Sequence, residues 1–257
     1  MAAFAAGRDG AGLAGHVALV TGAGRNIGRA IALELADRGA DVVVNARANR
    51  AEAEAVAAEA RKRGVRALVA LGDVGRAEDV RALAAQALAA FGKVDIVVNN
   101  AAIRPEAPFL ELTEEAWHRV LAVDLHSAFY TARAFLPGMV AQRWGRIINL
   151  TGMNAIQGAP GRAHVAAAKH GLWGLTKALA REFGPHGVTV NAISPGPIDT
   201  AREDAATDRQ HRAQVGRVPL GRLGSPAEVA ALCGFLASDA GGFISGQMIG
   251  VNGGAAT

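Results

Sequence analysis

Lys169 and His164 are two side chains of this sequence suited to moving a proton. An imidazole titrates near neutral pH and is the commonest proton shuttle. His164 and Lys169 share the run Arg162-Ala163-His164-Val165-Ala166-Ala167-Ala168-Lys169. Residues four apart share a helix face, and each further step turns by about 100°. Val165 and Lys169 therefore stack on one face, and a regular helix points His164 away from it. The alternative for His164 is a partly buried residue bonded to backbone.

A second constellation lies near the start. Val17-Ala18-Leu19-Val20-Thr21 runs into Gly22-Ala23-Gly24-Arg25-Asn26-Ile27-Gly28 and then an Ala-rich helix. Glycines let backbone approach a pyrophosphate, and a helix N-terminus supplies amides and positive potential. Such a turn, after a first strand and before a helix, predicts dinucleotide binding. Asn26 fits a left-handed position that would otherwise take glycine. The next apolar run ends Val44-Asn45-Ala46-Arg47, with no acid to bind a ribose hydroxyl and repel a 2′-phosphate. Arg25 and Arg47 favour a 2′-phosphate, so NADP is expected, with NAD as the alternative.

The elements that would hold these residues alternate along the chain. Strands are expected at 16–21, 41–46, 66–71, 95–99, 146–151, 188–193 and 248–251. Helices are expected near 27–39, 50–63, 76–91, 113–136, 163–183 and 226–237. Continuous runs such as Val42-Val43-Val44 suit strands covered on both faces. The fold class is therefore α/β: a Rossmann-type, doubly wound parallel sheet of seven strands, in one domain over 13–257. Residues 1–12 read as a disordered tail rather than a signal peptide.

Composition narrows the function. Of the 257 residues 51% are hydrophobic and only 5% aromatic, so the core is built from Ala, Val, Leu and Ile. The net charge of +4 is spread along the chain. No dense basic run with aromatics appears, so nucleic-acid binding is not expected. No apolar run reaches about 18 residues, so no membrane span is expected. The single cysteine, Cys233, excludes an internal disulfide and fits a reducing cytoplasm. No metal-binding set is assigned.

From about residue 13 onward the chain resembles the short-chain dehydrogenase/reductase family, most of all its bacterial 3-oxoacyl-carrier-protein reductases. The residues that carry the resemblance are the glycine turn, Gly72-Asp73-Val74, Asn99-Asn100-Ala101-Ala102, Lys169, Val190 to Thr200 and Gly246 to Gly254. The resemblance implies an NAD(P)-dependent oxidoreductase acting on a small-molecule carbonyl or alcohol, and a homotetramer. It implies that Asp73, beside Val74, meets the adenine, and that Asn100 and Ala101 meet the ribose. Pro195, Gly196 and Ile198 would lie against the nicotinamide, Thr200 near the pyrophosphate, and Lys169 at the nicotinamide ribose.

The departures fall on the chemistry. The family's active-site Asn, Ser and Tyr positions hold Asp124, Gly152 and Val165, and only Lys169 remains. The resemblance implies that Asp124 lies near Lys169, where its carboxylate would pair with the ammonium and hold it charged; the alternative is a buried salt bridge without catalytic use. A phenol four residues from that lysine would donate a proton near neutral pH; Val165 can neither donate nor accept one. Gly152 and Val165 are expected to open room for a larger or more apolar part of the substrate. Asn154 is a candidate to bind a substrate oxygen. Thr151 should project to the other side of its strand. Tyr130, the only tyrosine, reads as packing in a subunit interface, with Phe129 and Phe135 adding apolar area. The charged stretch with Arg202, Arg209, His211, Arg212 and Arg217 lies where the family places its substrate lid. Three readings follow: an NADP-dependent oxidoreductase with a rearranged proton donor, a family-derived enzyme reducing C=C bonds, or a catalytically silent dinucleotide-binding protein.

Overall fold

The computed structural model describes residues 12–201, 209 and 212–256, and of Asn154 and Ala155 the backbone alone. Arg202, His211 and residues 1–11 of the expected tail lie outside the described residues. Seven strands pair in parallel in the order β3-β2-β1-β4-β5-β6-β7. They are β1 Val17–Val20, β2 Asp41–Ala46, β3 Ala67–Leu71, β4 Ile96–Asn99, β5 Gly145–Leu150, β6 Val188–Pro195 and β7 Met248–Val251. The helices are α1 Asn26–Asp37, α2 Arg50–Arg61, α3 Ala77–Phe91, α4 Glu114–Leu121, α5 Ser127–Gln142, α6 Asn154–Gln157, α7 Ala163–Phe183 and α8 Pro226–Ala237.

The strands carry continuous apolar runs because both faces of the sheet are covered. Val17 and Leu19 join one core with Leu83, Phe135 and Met139 from α3 and α5. Ala18 and Val20, their neighbours in sequence, join the other, with Ile31, Val56 and Leu236 from α1, α2 and α8. Successive side chains on a strand point to opposite faces, so one apolar run feeds both layers. Cys233 is fully buried in the second core, and burial pushes its thiol pKa up.

The helix expected over 113–136 is corrected. Thr113 caps α4 by accepting from the Ala116 N–H. After Leu121 the helix widens into a π turn, Ala122–His126, then resumes as α5 and runs to Gln142. Pro137 lies inside α5 instead of following its end. The bias of a residue before proline against helix is a preference that packing overrides. Here Phe135, Leu136 and Met139 are buried on both sides of Pro137. Phe135 therefore belongs to the core, while Phe129 is 46% exposed. Among the described residues no helix is long and apolar enough to cross a membrane.

Candidate active site

The C-terminal ends of β1, β2 and β4 are bound into one cradle. Asn100 Nδ2 donates to the carbonyls of Thr21 and Gly22, at 2.8 and 3.1 Å. Thr21 Oγ1 accepts from the Asn100 and Ala101 amides. The backbones approach too closely for side chains. A Cβ on Gly28 would lie 2.2 Å from the Gly22 carbonyl oxygen, and one on Gly22, whose φ is +62°, would lie 3.0 Å from Ala101 Cα. Gly24 has a looser contact, 3.3 Å to Glu52 Cβ. Arg25 caps α1 with extended backbone and no side-chain cap bond, and the first turn, which includes Ile27, holds no acid. The leading amides of α1 therefore have no side-chain acceptor at its cap, as an anion site requires.

Asn45 has a place here that the residue pattern did not assign. It is buried at the end of β2, accepts from the Gly22 amide at 3.3 Å, and donates to the carbonyls of Ala70 and Gly72. A polar residue ending the run Val42-Val43-Val44 was the available signal. Arg47, exposed just beyond, lies close enough to Asp73 to act on its carboxylate. Asp73 also accepts from Arg119 at 2.6 Å and from the Gly75 amide at 2.9 Å. Burial alone would raise the Asp73 pKa. The bonds from Arg119 and Gly75 and the charges of Arg119 and Arg47 outweigh burial and hold it below the usual range. Val74 beside it is buried.

The opposite wall follows β6. Gly196 donates to the Val251 carbonyl, and a Cβ there would lie 2.6 Å from Asn252 Cα. Pro195 ends the strand, Ile198 is buried and bridges Gly224, and Thr200 is half-buried beyond them. The two walls and the uncapped helix end fit a dinucleotide.

Lys169 is buried, and its Nζ donates to the Leu150 carbonyl at 2.9 Å. Asp124 Oδ2 lies 3.4 Å from that Nζ, and Oδ1 accepts from the Ile103 amide at 2.8 Å. Asp124 reaches this place from the π turn, a feature frequent at functional sites. Burial lowers the Lys169 pKa, the Asp124 charge opposes this, and the charge of Arg104 adds to the lowering.

His164 is fully buried, and neither ring nitrogen has a hydrogen-bond partner. The partly buried, backbone-bonded histidine considered above is thus corrected, and because α7 is a regular α-helix from Ala163 the ring is turned off the Val165–Lys169 face. Burial and the Arg162 charge lower its pKa, against the pull of Asp124. Arg162 itself is bonded to the carbonyls of Arg104 and Pro105 and paired with Glu106, which ties the loop after β4 to the start of α7.

The expected opening at Val165 is also corrected. Val165 is 2% exposed and packs with Val120 and Ala168, with Ile103, Leu121 and Leu125 around them. An aliphatic side chain on this face fills its own space. At Gly152 the space is open: an added Cβ would meet nothing within 4 Å. Its φ of +147°, however, disfavours any side chain there. Thr151 Oγ1 donates to the Ile193 carbonyl at 3.0 Å. The Asn154 side chain lies outside the described residues.

A family model described as enoyl-(acyl carrier protein) reductase matches residues 22–256. The chain is 42% identical to a 3-oxoacyl-[acyl-carrier-protein] reductase of Pseudomonas aeruginosa, over 94% of this chain and 98% of that one. It is 40% identical to the Staphylococcus aureus protein of the same name, over 92% and 96%. A dehydrogenase/reductase from Sinorhizobium meliloti superposes with a TM-score of 0.88 at 35% identity, covering 97% of this chain and 98% of that one. Acetoin dehydrogenase from Salmonella typhimurium gives 0.86 at 33%, covering 93% and 95%. With its fold, its cradle and these relatives, the chain belongs to the short-chain dehydrogenase/reductase family and is an oxidoreductase of that family.

Proposed function

We propose that this protein is an NADP-dependent oxidoreductase of a small-molecule alcohol or carbonyl, with 3-oxoacyl compounds as a candidate class and a rearranged proton donor in place of the family's tyrosine, for which His164 is the candidate. The observation that carries this is the backbone cradle at Gly22, Gly28 and Asn100 together with the buried Lys169–Asp124 pair, beside a Val165 that can neither donate nor accept a proton. Buried polar groups without partners cost about 1–3 kcal/mol each and call for an explanation, which a role in proton exchange gives the His164 imidazole.

Bound NADP would supply hydride exchange at its nicotinamide ring. Gly22, Gly24, Ile27, Gly28, Asn100 and Ala101 would line its pyrophosphate and ribose, with Arg25 and Arg47 at the 2′-phosphate. Lys169, held by Leu150 and Asp124, would bind the nicotinamide ribose. Burial favours neutral His164, which suits a proton acceptor. In alcohol oxidation the substrate O–H bond would break with its proton passing to an imidazole nitrogen, and the C–H bond of the carbon bearing that oxygen would break with its hydride passing to the cofactor, leaving a carbonyl. Carbonyl reduction runs the same transfers backwards.

A second reading, C=C reduction, is favoured by the apolar packing of Val165 and by the description of the matching family model. There the proton ends on carbon, and no oxygen needs a phenol. The test follows NADPH oxidation on ketones, 3-oxoacyl thioesters and enones, and NADP⁺ reduction on secondary alcohols. The primary reading expects turnover on the carbonyl and alcohol panels that His164→Ala abolishes. Turnover on enones alone supports the second reading, and turnover on none supports a silent dinucleotide-binding protein.

A further inference from the structure

Asn26 stands in the glycine turn with φ +53°, a left-handed conformation that glycine adopts freely and asparagine tolerates. Its side chain crosses the cleft. Oδ1 accepts from the Ala201 amide at 3.1 Å, and Nδ2 faces the Ala201 carbonyl at 3.4 Å. The two residues lie 175 positions apart in sequence. Asn26 opens α1 beside the glycine turn, whereas Ala201 follows Thr200 on the wall that leaves β6.

That second wall is anchored from its other side. The Asp199 amide donates to the Gly224 carbonyl at 2.7 Å, and the Gly224 amide donates to the Pro197 carbonyl at 2.9 Å. Gly196 is pinned to Val251. These bonds tie the wall to the β7 side of the molecule. The Asn26 pair ties it to the phosphate turn.

We propose that Asn26 is a cofactor-positioning residue: by gripping both polar groups of Ala201 it fixes the distance between the two walls that a dinucleotide must span. Glycine at this place would keep the turn and remove the grip. The role rests on the proposed cofactor reading. It concerns the bridge between the walls, not the pyrophosphate contact of either one. A ligand that occupies only the adenosine half does not span the walls and does not sense the bridge.

The test compares wild type with Asn26→Gly by titration calorimetry, using NADPH and the half-ligand adenosine 2′,5′-bisphosphate. In parallel, amide exchange at Ala201 is measured without ligand. NADPH binding is expected to weaken about tenfold, half-ligand binding to stay within about twofold, and the Ala201 amide to exchange faster. Asn26→Asp keeps the acceptor and should keep that amide protected. Equal weakening of both ligands overturns the proposal, because it marks damage to the phosphate turn. So do unchanged NADPH affinity or unchanged exchange. If wild type binds neither ligand, the cofactor reading itself fails, and the positioning role falls with it.

Discussion

Lys169 Nζ and Asp124 Oδ2 lie 3.4 Å apart with both side chains almost wholly enclosed. The burial that lowers the lysine pKa is opposed by this carboxylate. Asparagine at 124 would keep an acceptor for the Ile103 amide and delete the counter-charge. Removing one partner of a buried pair costs about 3–5 kcal/mol, and the retained acceptor places Asp124→Asn at the low end, about 3 kcal/mol at pH 7. The deficit should shrink as pH rises, because a neutral amine needs no counter-ion. Urea unfolding at pH 7 and pH 9.5 checks both statements; a deficit that grows with pH contradicts them.

The His164 pKa is lowered from 6.5 by burial, so the folded protein binds this proton less readily than the unfolded chain. As pH falls through 6.5 the unfolded chain takes up the proton first, and stability is lost until pH drops below the folded value. His164→Leu should flatten the stability profile below about pH 6.5. Any histidine-dependent limb in the rate profile should likewise lie below 6.5, not in the 6–7 range of an unperturbed imidazole. An unchanged slope in the leucine variant would refute the assignment.

Restoring the family's hydroxyls meets resistance from the backbone and the core. Gly152→Ser places a side chain at φ +147°, and Val165→Tyr forces a phenol among Val120 and Ala168. Each should cost about 1–3 kcal/mol. Ketone reduction by the folded double variant should nevertheless rise above wild type, because lost oxyanion donors cost on the order of 10²-fold or more in rate. Parallel denaturation curves and NADPH oxidation check the two halves. A double variant as stable as wild type would disprove the packing argument.

Cofactor choice should follow charge at the end of β2. NADPH should bind more tightly than NADH, and Arg47→Asp should reverse the order, since a carboxylate repels a 2′-phosphate and binds a ribose hydroxyl. Calorimetry showing equal affinity for both cofactors speaks against the assignment.

The exposed ring of Phe129 and the half-buried Tyr130 lie on the α5 surface. A closed tetramer of 222 symmetry is expected there and along Gly246 to Gly254, with Phe129→Glu shifting it toward smaller species. Light scattering at micromolar concentration decides; a wild-type monomer is the contrary result.

Sequence periodicity alone determined the layer order of this protein. Continuous apolar runs can be satisfied only by strands covered on both faces, and β2, β7 and α8 fall on the residues expected. The glycine turn was equally legible, because a backbone that must approach another backbone at Gly28 admits no side chain. The missing acid was legible too: Val165 and Gly152 cannot transfer a proton wherever they lie. What the sequence left open depended on contacts between residues far apart in it. Helical periodicity assigned Val165 and Lys169 to one face, but only packing against α4 showed that Val165 fills its own space. The π turn at Ala122–His126 has no signature in residue type, yet it carries Asp124 to Lys169. The orphaned nitrogens of His164, the Asn45 cross-link and the grip of Asn26 on Ala201 were likewise invisible. Burial and hydrogen-bond partners are set by which elements meet, and no local stretch of sequence encodes that.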